Sequence, residues 1–226
     1  MRRKLKAVRI KIRIDNKYIC NLICLAQERK MGISVTGGVK VPRGKFSVST
    51  SAAAATNGTL WSWGKNNVGQ VGDGTIVYRS SPVQVGGLTD WADISTGGSN
   101  AGTHSFAINT TGELWGWGEA NAGRLGDGTT IDKSSPIQIG SLTTWTSSAA
   151  SNGHSHALQS DGTLWAWGNN FLGRLGTNNA ISPSSPVQVG ALSDWSVLTS
   201  GNHHSLVIKT NGELWAFGSA AFGQVG

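Results

Sequence analysis

The stretch "LWAWGNNFLGRLG", residues 164–176, sets Trp165 and Trp167 around Ala166 and follows them with Gly168, Gly173 and Gly176. On a strand, successive side chains point to opposite faces. The two indoles therefore share one face, and Leu164 and Ala166 take the other. The pattern recurs as Leu60-Trp61-Ser62-Trp63-Gly64, Leu114-Trp115-Gly116-Trp117-Gly118 and Leu214-Trp215-Ala216-Phe217-Gly218, in steps of 54, 50 and 50 residues. The residue between the aromatics is always small: Ser62, Gly116, Ala166, Ala216. A sheet with one bulky and one small face suits a stack in which each copy is covered on both sides. The large face fills the gap to one neighbour and the small face lets the other approach closely. A buried Trp offers roughly 200 Å², so the pairs are expected to carry much of the packing between units.

Other strings keep the same register. "SSPVQVG" starts at Ser80, returns as "SSPIQIG" at Ser134 and again as "SSPVQVG" at Ser184. "GDGT" occupies Gly72 and Gly126, with "GTNN" at Gly176. Trp91, Trp145 and Trp195 hold one position, and "HSFAI", "HSHAL" and "HSLVI" begin at His104, His154 and His204. The four extra residues of the first step fall in "TGGSNAGT", before His104, and read as a loop insertion. A period near fifty marks a repeat architecture.

Each unit reads as four short strands. "HSLVI" and "ELWAF" alternate and are rich in β-formers, and "KTNG", "NTTG" or "QSDG" joins such pairs as a tight turn. "PVQV" supplies a third strand and "WSVLTS" or "WADIST" a fourth. Four antiparallel strands in fifty residues make one propeller blade. The fold class expected is therefore all-β, with propeller blades of four antiparallel strands. The boundaries expected are a basic arm and linker over 1–45 and repeats over 46–226, with units at about 46–89, 90–143, 144–193 and 194–226.

Composition agrees. Gly provides 32 of 226 residues, about twice the usual share, which suits many tight turns. All ten Trp lie from Trp61 onward. The net charge of +7 belongs to the arm: residues 1–30 hold ten Lys or Arg against Asp15 and Glu28, while the remainder carries nine against ten acids. The repeats thus present no basic field for nucleic acid. In the arm, Val8, Ile10, Ile12 and Ile14 alternate with Arg9, Lys11 and Arg13. This is either an edge strand whose charges block aggregation or a polyanion contact through Arg9, Lys11 and Arg13. Cys20 and Cys24, the two cysteines, read as small apolar residues. The run "YICNLICLA" is too short to span a bilayer, and charges interrupt any signal-peptide core. A cytoplasmic chain is the expectation.

Taken together, "HSLVIKTNGELWAFG", "NNFLGRLG", "GDGT" and "SSPVQVG" resemble the repeat of the regulator of chromosome condensation family, over roughly residues 46–226. The resemblance implies a β-propeller, which in that family usually closes with seven blades. It also implies protein binding through blade loops, since the family includes an exchange factor for a small nuclear GTPase, domains of ubiquitin ligases, inhibitor proteins of bacterial β-lactamases and many bacterial and phage proteins. Two departures stand out. About three and a half repeats are present, the last stopping within "FGQVG", so either the chain is a fragment of a longer propeller or two chains assemble one ring. The first unit is degraded, with Thr50 at the His104 position and "SAAAA" in place of an alternating strand.

The candidate residues are those of the repeat itself: Trp61, Trp63, Trp115, Trp117, Trp165, Trp167, Trp215, His104, His154, His204, Gly118, Gly168 and Gly218. His154 and His156 share a strand face, and His203 adjoins His204, yet no carboxylate stands at a fixed offset as a third ligand, so no metal site is expected. His104, His154 and His204 read as satisfied structural histidines. No catalytic group and no cofactor is expected, because Ser and His lie side by side on a strand without an orienting third group. Asp73 and Asp127 lack the alternating acids of a calcium loop and are expected to bond their own turns. "NGT" at Asn57 and "NTT" at Asn109 match the glycosylation pattern as chance does. The functional expectation is a non-enzymatic, protein-binding propeller module. The alternatives are an exchange-factor-like regulator of a small GTPase, and a bacterial or phage surface protein binding a host partner or glycan, with Phe171 and Phe222 as candidate platforms. Self-association through open blade edges is expected as well.

Overall fold

The computed structural model describes the strand backbones 7–14, 18–27 and 30–34, and residues 58–99, 102–223 and 225. The chain divides into two compact units, Met1–Ala53 and Ala54–Gly226.

In the first unit, β1 (Ala7–Ile14), β2 (Tyr18–Gln27) and β3 (Lys30–Ser34) form an antiparallel sheet in the order β1-β2-β3. The arm thus has an edge strand at residues 7–14, paired so that Arg9 faces Ile23 and Arg13 faces Ile19. The apolar run at 18–26 is its central strand. The side chains of Arg9, Lys11 and Arg13 lie outside the described residues, and so does the polyanion contact expected of them. Thr50 and "SAAAA" lie outside them too.

The second unit is a series of blades. The first repeat contributes β4 (Trp61–Gly64) and β5 (Arg79–Gln84). The second holds β6 (Trp91–Ser99), β7 (Gly102–Asn109), β8 (Leu114–Gly118) and β9 (Lys133–Gln138) in one antiparallel sheet. The third repeats this with β10 (Trp145–Ala150), β11 (His154–Gln159), β12 (Leu164–Gly168) and β13 (Val187–Gln188). The fourth has β14 (Trp195–Ser200), β15 (His204–Lys209) and β16 (Leu214–Gly218). The pairing is the same in each: His104, His154 and His204 lie opposite Gly118, Gly168 and Gly218. The insertion in the second repeat is absorbed as strand rather than loop. β6 and β7 run on past the His-Gly register through Gly98↔Thr103 and Ser99↔Gly102, extending the hairpin instead of bulging its tip.

Alternation along "LWAWG" assigns the two faces. Leu164 and Ala166 join Leu175 and Val189 in a cluster with Trp195, Leu198 and Val207 of the fourth blade, against which Phe217 packs. Trp167 belongs instead to a cluster with Phe106, Leu114 and Ile139 of the second blade. The aromatic face therefore looks back to the preceding blade and the small face forward to the next.

The two indoles of a pair nevertheless differ, which corrects the reading that both fill the gap between blades. Trp117 and Trp167 are buried. Trp115 and Trp165 are half-buried, at the turn end of their strands, edge-on to Trp91 and Trp145 with centroids 6.1 and 6.0 Å apart. Trp61 and Trp63 are 51% and 61% exposed, because no described blade faces their side of β4, and Trp215 is 47% exposed.

Candidate functional site

What holds consecutive blades in register is a repeated hydrogen-bonded clasp. Trp167 Nε1 donates to the carbonyl of Arg124 (2.9 Å), and Ser155 Oγ donates to the same carbonyl (2.7 Å). His104 of the second blade completes it, with Nε2 2.8 Å from Ser155 Oγ. One blade earlier, Trp117 Nε1 and Ser105 Oγ reach the carbonyl of Gln70 at 3.1 and 3.5 Å. One blade later, Ser205 Oγ reaches the carbonyl of Arg174 (3.5 Å) and lies 3.1 Å from His154 Nε2. There Phe217 replaces the indole, so this seam lacks one donor.

The indole also needs a seat. A Cβ on Gly126, whose φ is +82°, would stand 2.7 Å from Trp167 Nε1. Gly72 bears the same relation to Trp117 at 2.7 Å and Gly176 to Phe217 at 2.9 Å. Only glycine offers both the left-handed backbone and the room. Gly118, Gly168 and Gly218 are constrained in the same way, since a Cβ there would lie 2.5–2.7 Å from the carbonyl of Thr103, Gly153 or His203.

The histidines are part of this seam. His104, His154 and His156 are fully buried, and His204 is partly buried. Burial holds His104 down at about 3 and His156 at about 4, and pushes His154 well below the usual imidazole value, so all three are neutral at pH 7. His154 and His156 stack edge to face at 5.4 Å. The satisfied-histidine reading applies to one nitrogen only: Nδ1 of His104 and of His154 has no partner. Among the described residues, no three His, Cys, Asp or Glu side chains are grouped to hold a metal. Asn109 is buried with Nδ2 donating to Glu113 (2.6 Å), and Asn57 lies outside the described residues.

The clasp presents the loops. Backbone bonds from Glu119 N to Thr103 O, Asn169 N to Gly153 O and Ser219 N to His203 O tie two loops of each blade to one sheet edge. These are the loop before each histidine strand and the long loop after each tryptophan strand. The long loops are stiffened from within. Asp73 and Asp127 accept from the amides of Thr75 and Thr129 (3.0 Å each) and pair with Arg79 and Lys133, as their turn reading expects. Asn66 and Asn170 add a staple that sequence reading missed. Each is buried, accepts from the amide of Val71 or Leu175 (2.9 and 3.1 Å), and donates across the loop to the carbonyl of Val77 or Asn179. The signal was present in "KNNVGQVG" and "NNFLGRLG", but Ala120 at that position in the second repeat hides it.

Between these staples the loops turn apolar side chains outward. Val77, Ile131 and Ile181 hold one repeat position, and all three are more than half exposed. Ile76, Tyr78, Phe171, Leu172 and Phe222 are exposed on the same loops. Leu172 projects from a left-handed backbone with φ 63°, a conformation uncommon outside glycine. On the opposite sheet edge, a groove of about 380 Å³ runs between Gln159–Gly162 and Trp195. No helix among the described residues is long and apolar enough to cross a membrane.

Comparison with known proteins places these features. Models of the "Regulator of chromosome condensation (RCC1) repeat" match residues 57–108, 111–158 and 161–208, and a second such model matches 198–224. The chain is 38% identical over 95 residues to the human "Probable E3 ubiquitin-protein ligase HERC3", covering 41% of this chain and 9% of that protein. It is 38% identical over 99 residues to human "Protein RCC2" (41% and 18%) and 33% over 91 residues to the Arabidopsis thaliana "Ultraviolet-B receptor UVR8" (40% and 20%). Among solved structures, yeast RCC1 (Prp20) bound to Kap60 superposes with a TM-score of 0.62 at 17% identity, over 89% of this chain and 54% of that one. Human WBSCR16 gives 0.61 at 18%, over 88% and 44%. The chain spans a fifth or less of these curated relatives and about half of the solved propellers, which share its fold.

Proposed function

As the chain belongs to the regulator of chromosome condensation repeat family, we propose that it is a non-enzymatic protein-binding module whose long blade loops contact the partner. The observation that carries this reading is the division of labour within each repeat. The His, Ser and Trp of the motifs are spent between blades, while large apolar side chains recur at one exposed loop position, Val77, Ile131 and Ile181. Exposed apolar side chains gathered on one face characterise protein-binding surfaces, and recognition residues favour loops on a rigid frame. Relatives support it: one superposable structure holds Prp20 with Kap60, and another is of Prp20p, described with its binding properties to Gsp1p and histones.

The test places a photo-crosslinking amino acid at Ile131 or Ile181, and separately at Leu142 or Leu192 on the opposite edge. Adducts with one defined protein from the loop positions are expected. Adducts arising only from Leu142 and Leu192 would refute the assignment of the loop face.

A further inference from the structure

On the loop face, Arg174 is a guanidinium with no acid paired to it among the described residues. In the second repeat Arg124 is buried and paired, with Nη1 2.9 Å from Glu119 Oε2. In the third repeat Arg174 holds the same position and is only 5% exposed, but Asn169 stands where Glu119 does. The Oδ1 of Asn169 is taken by the amide of Phe171 (2.7 Å). Arg174 uses Nε on the carbonyl of Phe171 (2.8 Å) and lies 6.0 Å from the Phe171 ring centroid. Among the described residues no carboxylate forms an ion pair with it, whereas Arg79, Arg124, Lys133 and Lys209 each have one. Burial lowers its pKa with no acid to oppose the effect, whereas Glu119 and Asp132 oppose it at Arg124.

Both cations approach the loop before the histidine strand of the third repeat. Arg124 Nη2 and Arg174 Nη1 each lie 3.8 Å from the place a Cβ would take on Gly153. Both guanidiniums thus border one glycine, and among the described residues the carboxylates of Glu119 and Asp132 act on Arg124 but not on Arg174. A guanidinium so little exposed gains from a carboxylate partner, and its planar fork matches one. The second repeat shows which chemistry this loop accepts at the same geometry: both loops carry a left-handed residue at the same place, Ala122 with φ 57° and Leu172 with φ 63°.

We propose that Arg174 receives an Asp or Glu carboxylate from the protein that binds this loop face, with the exposed Phe171 and Leu172 beside it for an adjoining apolar residue. The proposal rests on the protein-binding reading above and narrows the partner to one that presents an acidic side chain next to an apolar one.

The test uses the full chain labelled with ¹⁵N-arginine and follows the Arg174 Nε–H resonance. The probes are N-acetyl-glutamate methylamide, its neutral glutamine counterpart and inorganic phosphate. A saturable shift is expected with the glutamate probe, on the order of millimolar for so small a ligand, and none with the glutamine probe. Two variants follow the protein's own repeats. Asn169→Glu restores the acid found in the second repeat; it should abolish the shift and raise the melting temperature by about 2–4 °C. Arg174→Gln copies Gln70 and Gln224 and should leave the fold intact. Against the crosslinked partner, each should weaken binding about tenfold or more. A partner that binds both variants normally, yet is lost on Ile131→Asp or Ile181→Asp, overturns this inference and leaves the loop-face reading standing. Binding indifferent to all four changes overturns both. Inorganic phosphate saturating well below the glutamate probe would overturn the carboxylate assignment.

Discussion

Acid should loosen the seams between blades, and the third-to-fourth seam more than its neighbour. Three imidazoles are buried neutral, with His104 held at about 3, His156 at about 4 and His154 well below the ordinary value of 6.5. Above pH 6.5 neither folded nor unfolded chain protonates these rings, so they carry no penalty. Below it the unfolded chain binds protons that the folded chain refuses, and stability falls as pH falls, until the folded values themselves are reached. One pH unit corresponds to about 1.4 kcal/mol per ring, so at pH 5 His104 and His156 should each cost about 2 kcal/mol, and His154 adds to the loss in the same direction. That is a large fraction of the stability of a typical domain. His104 faces the third blade alone, whereas both His154 and His156 face Ser205 of the fourth. His156→Phe, which copies Phe106 at the same repeat position, should recover about 2 kcal/mol at pH 5 and change little at pH 7.5. Urea unfolding from pH 7.5 to 4.5 measures this, and hydrogen exchange at pH 5 should show the fourth blade opening first. A variant whose stability falls as steeply with acid as the parent's would refute the reasoning.

The indole pair gives a sharper contrast by chemical denaturation. Trp167→Ala should cost about 3–5 kcal/mol, as a buried aromatic truncation does, and Trp165→Ala, half-exposed at the blade rim, about 1–2 kcal/mol. Equal costs would contradict the different burial of the two side chains. Gly126→Ala should destabilise by about 2–4 kcal/mol, combining left-handed backbone strain with a clash against Trp167; an unchanged midpoint would mean that the indole is not seated there. Finally, any DNA retention by the full chain should fall steeply with salt and vanish on deleting residues 1–45, because the positive excess lies in residues 1–30. Retention by the shortened chain would refute that placement of charge.

The blades were legible because two periods coincide in one string: alternation within "LWAWG" names its faces, and recurrence near fifty names the unit. What alternation could not say is how far along the wedge between blades each indole sits. Trp165 and Trp167 share a face, yet one bonds the Arg124 carbonyl deep in the seam and the other bonds Thr163 at the rim. The histidines were legible as structural, but not the direction of their bonds, which cross to the next blade's serine. Arg174 was legible in "FLGRLG" only as a repeat letter. Its isolation follows from two columns compared across repeats, Glu119 against Asn169, and acquires meaning only once Arg124 is seen bound to Glu119.

Because each clasp takes its Trp and Ser donors from one repeat and its acceptor carbonyl and histidine from the repeat before, every complete repeat carries both halves that its neighbours require. A stretch of about fifty codons is therefore a self-consistent cassette. Duplicating or excising one whole unit would rejoin matching halves of the clasp, whereas a cut out of phase with the period would orphan an indole and a carbonyl. The four-residue insertion that lengthens the β6–β7 hairpin lies outside the clasp, where recombination can alter length without disturbing the seam. The same rule leaves the long loops, and the choice between Glu119 and Asn169 within them, free to diverge from one copy to the next.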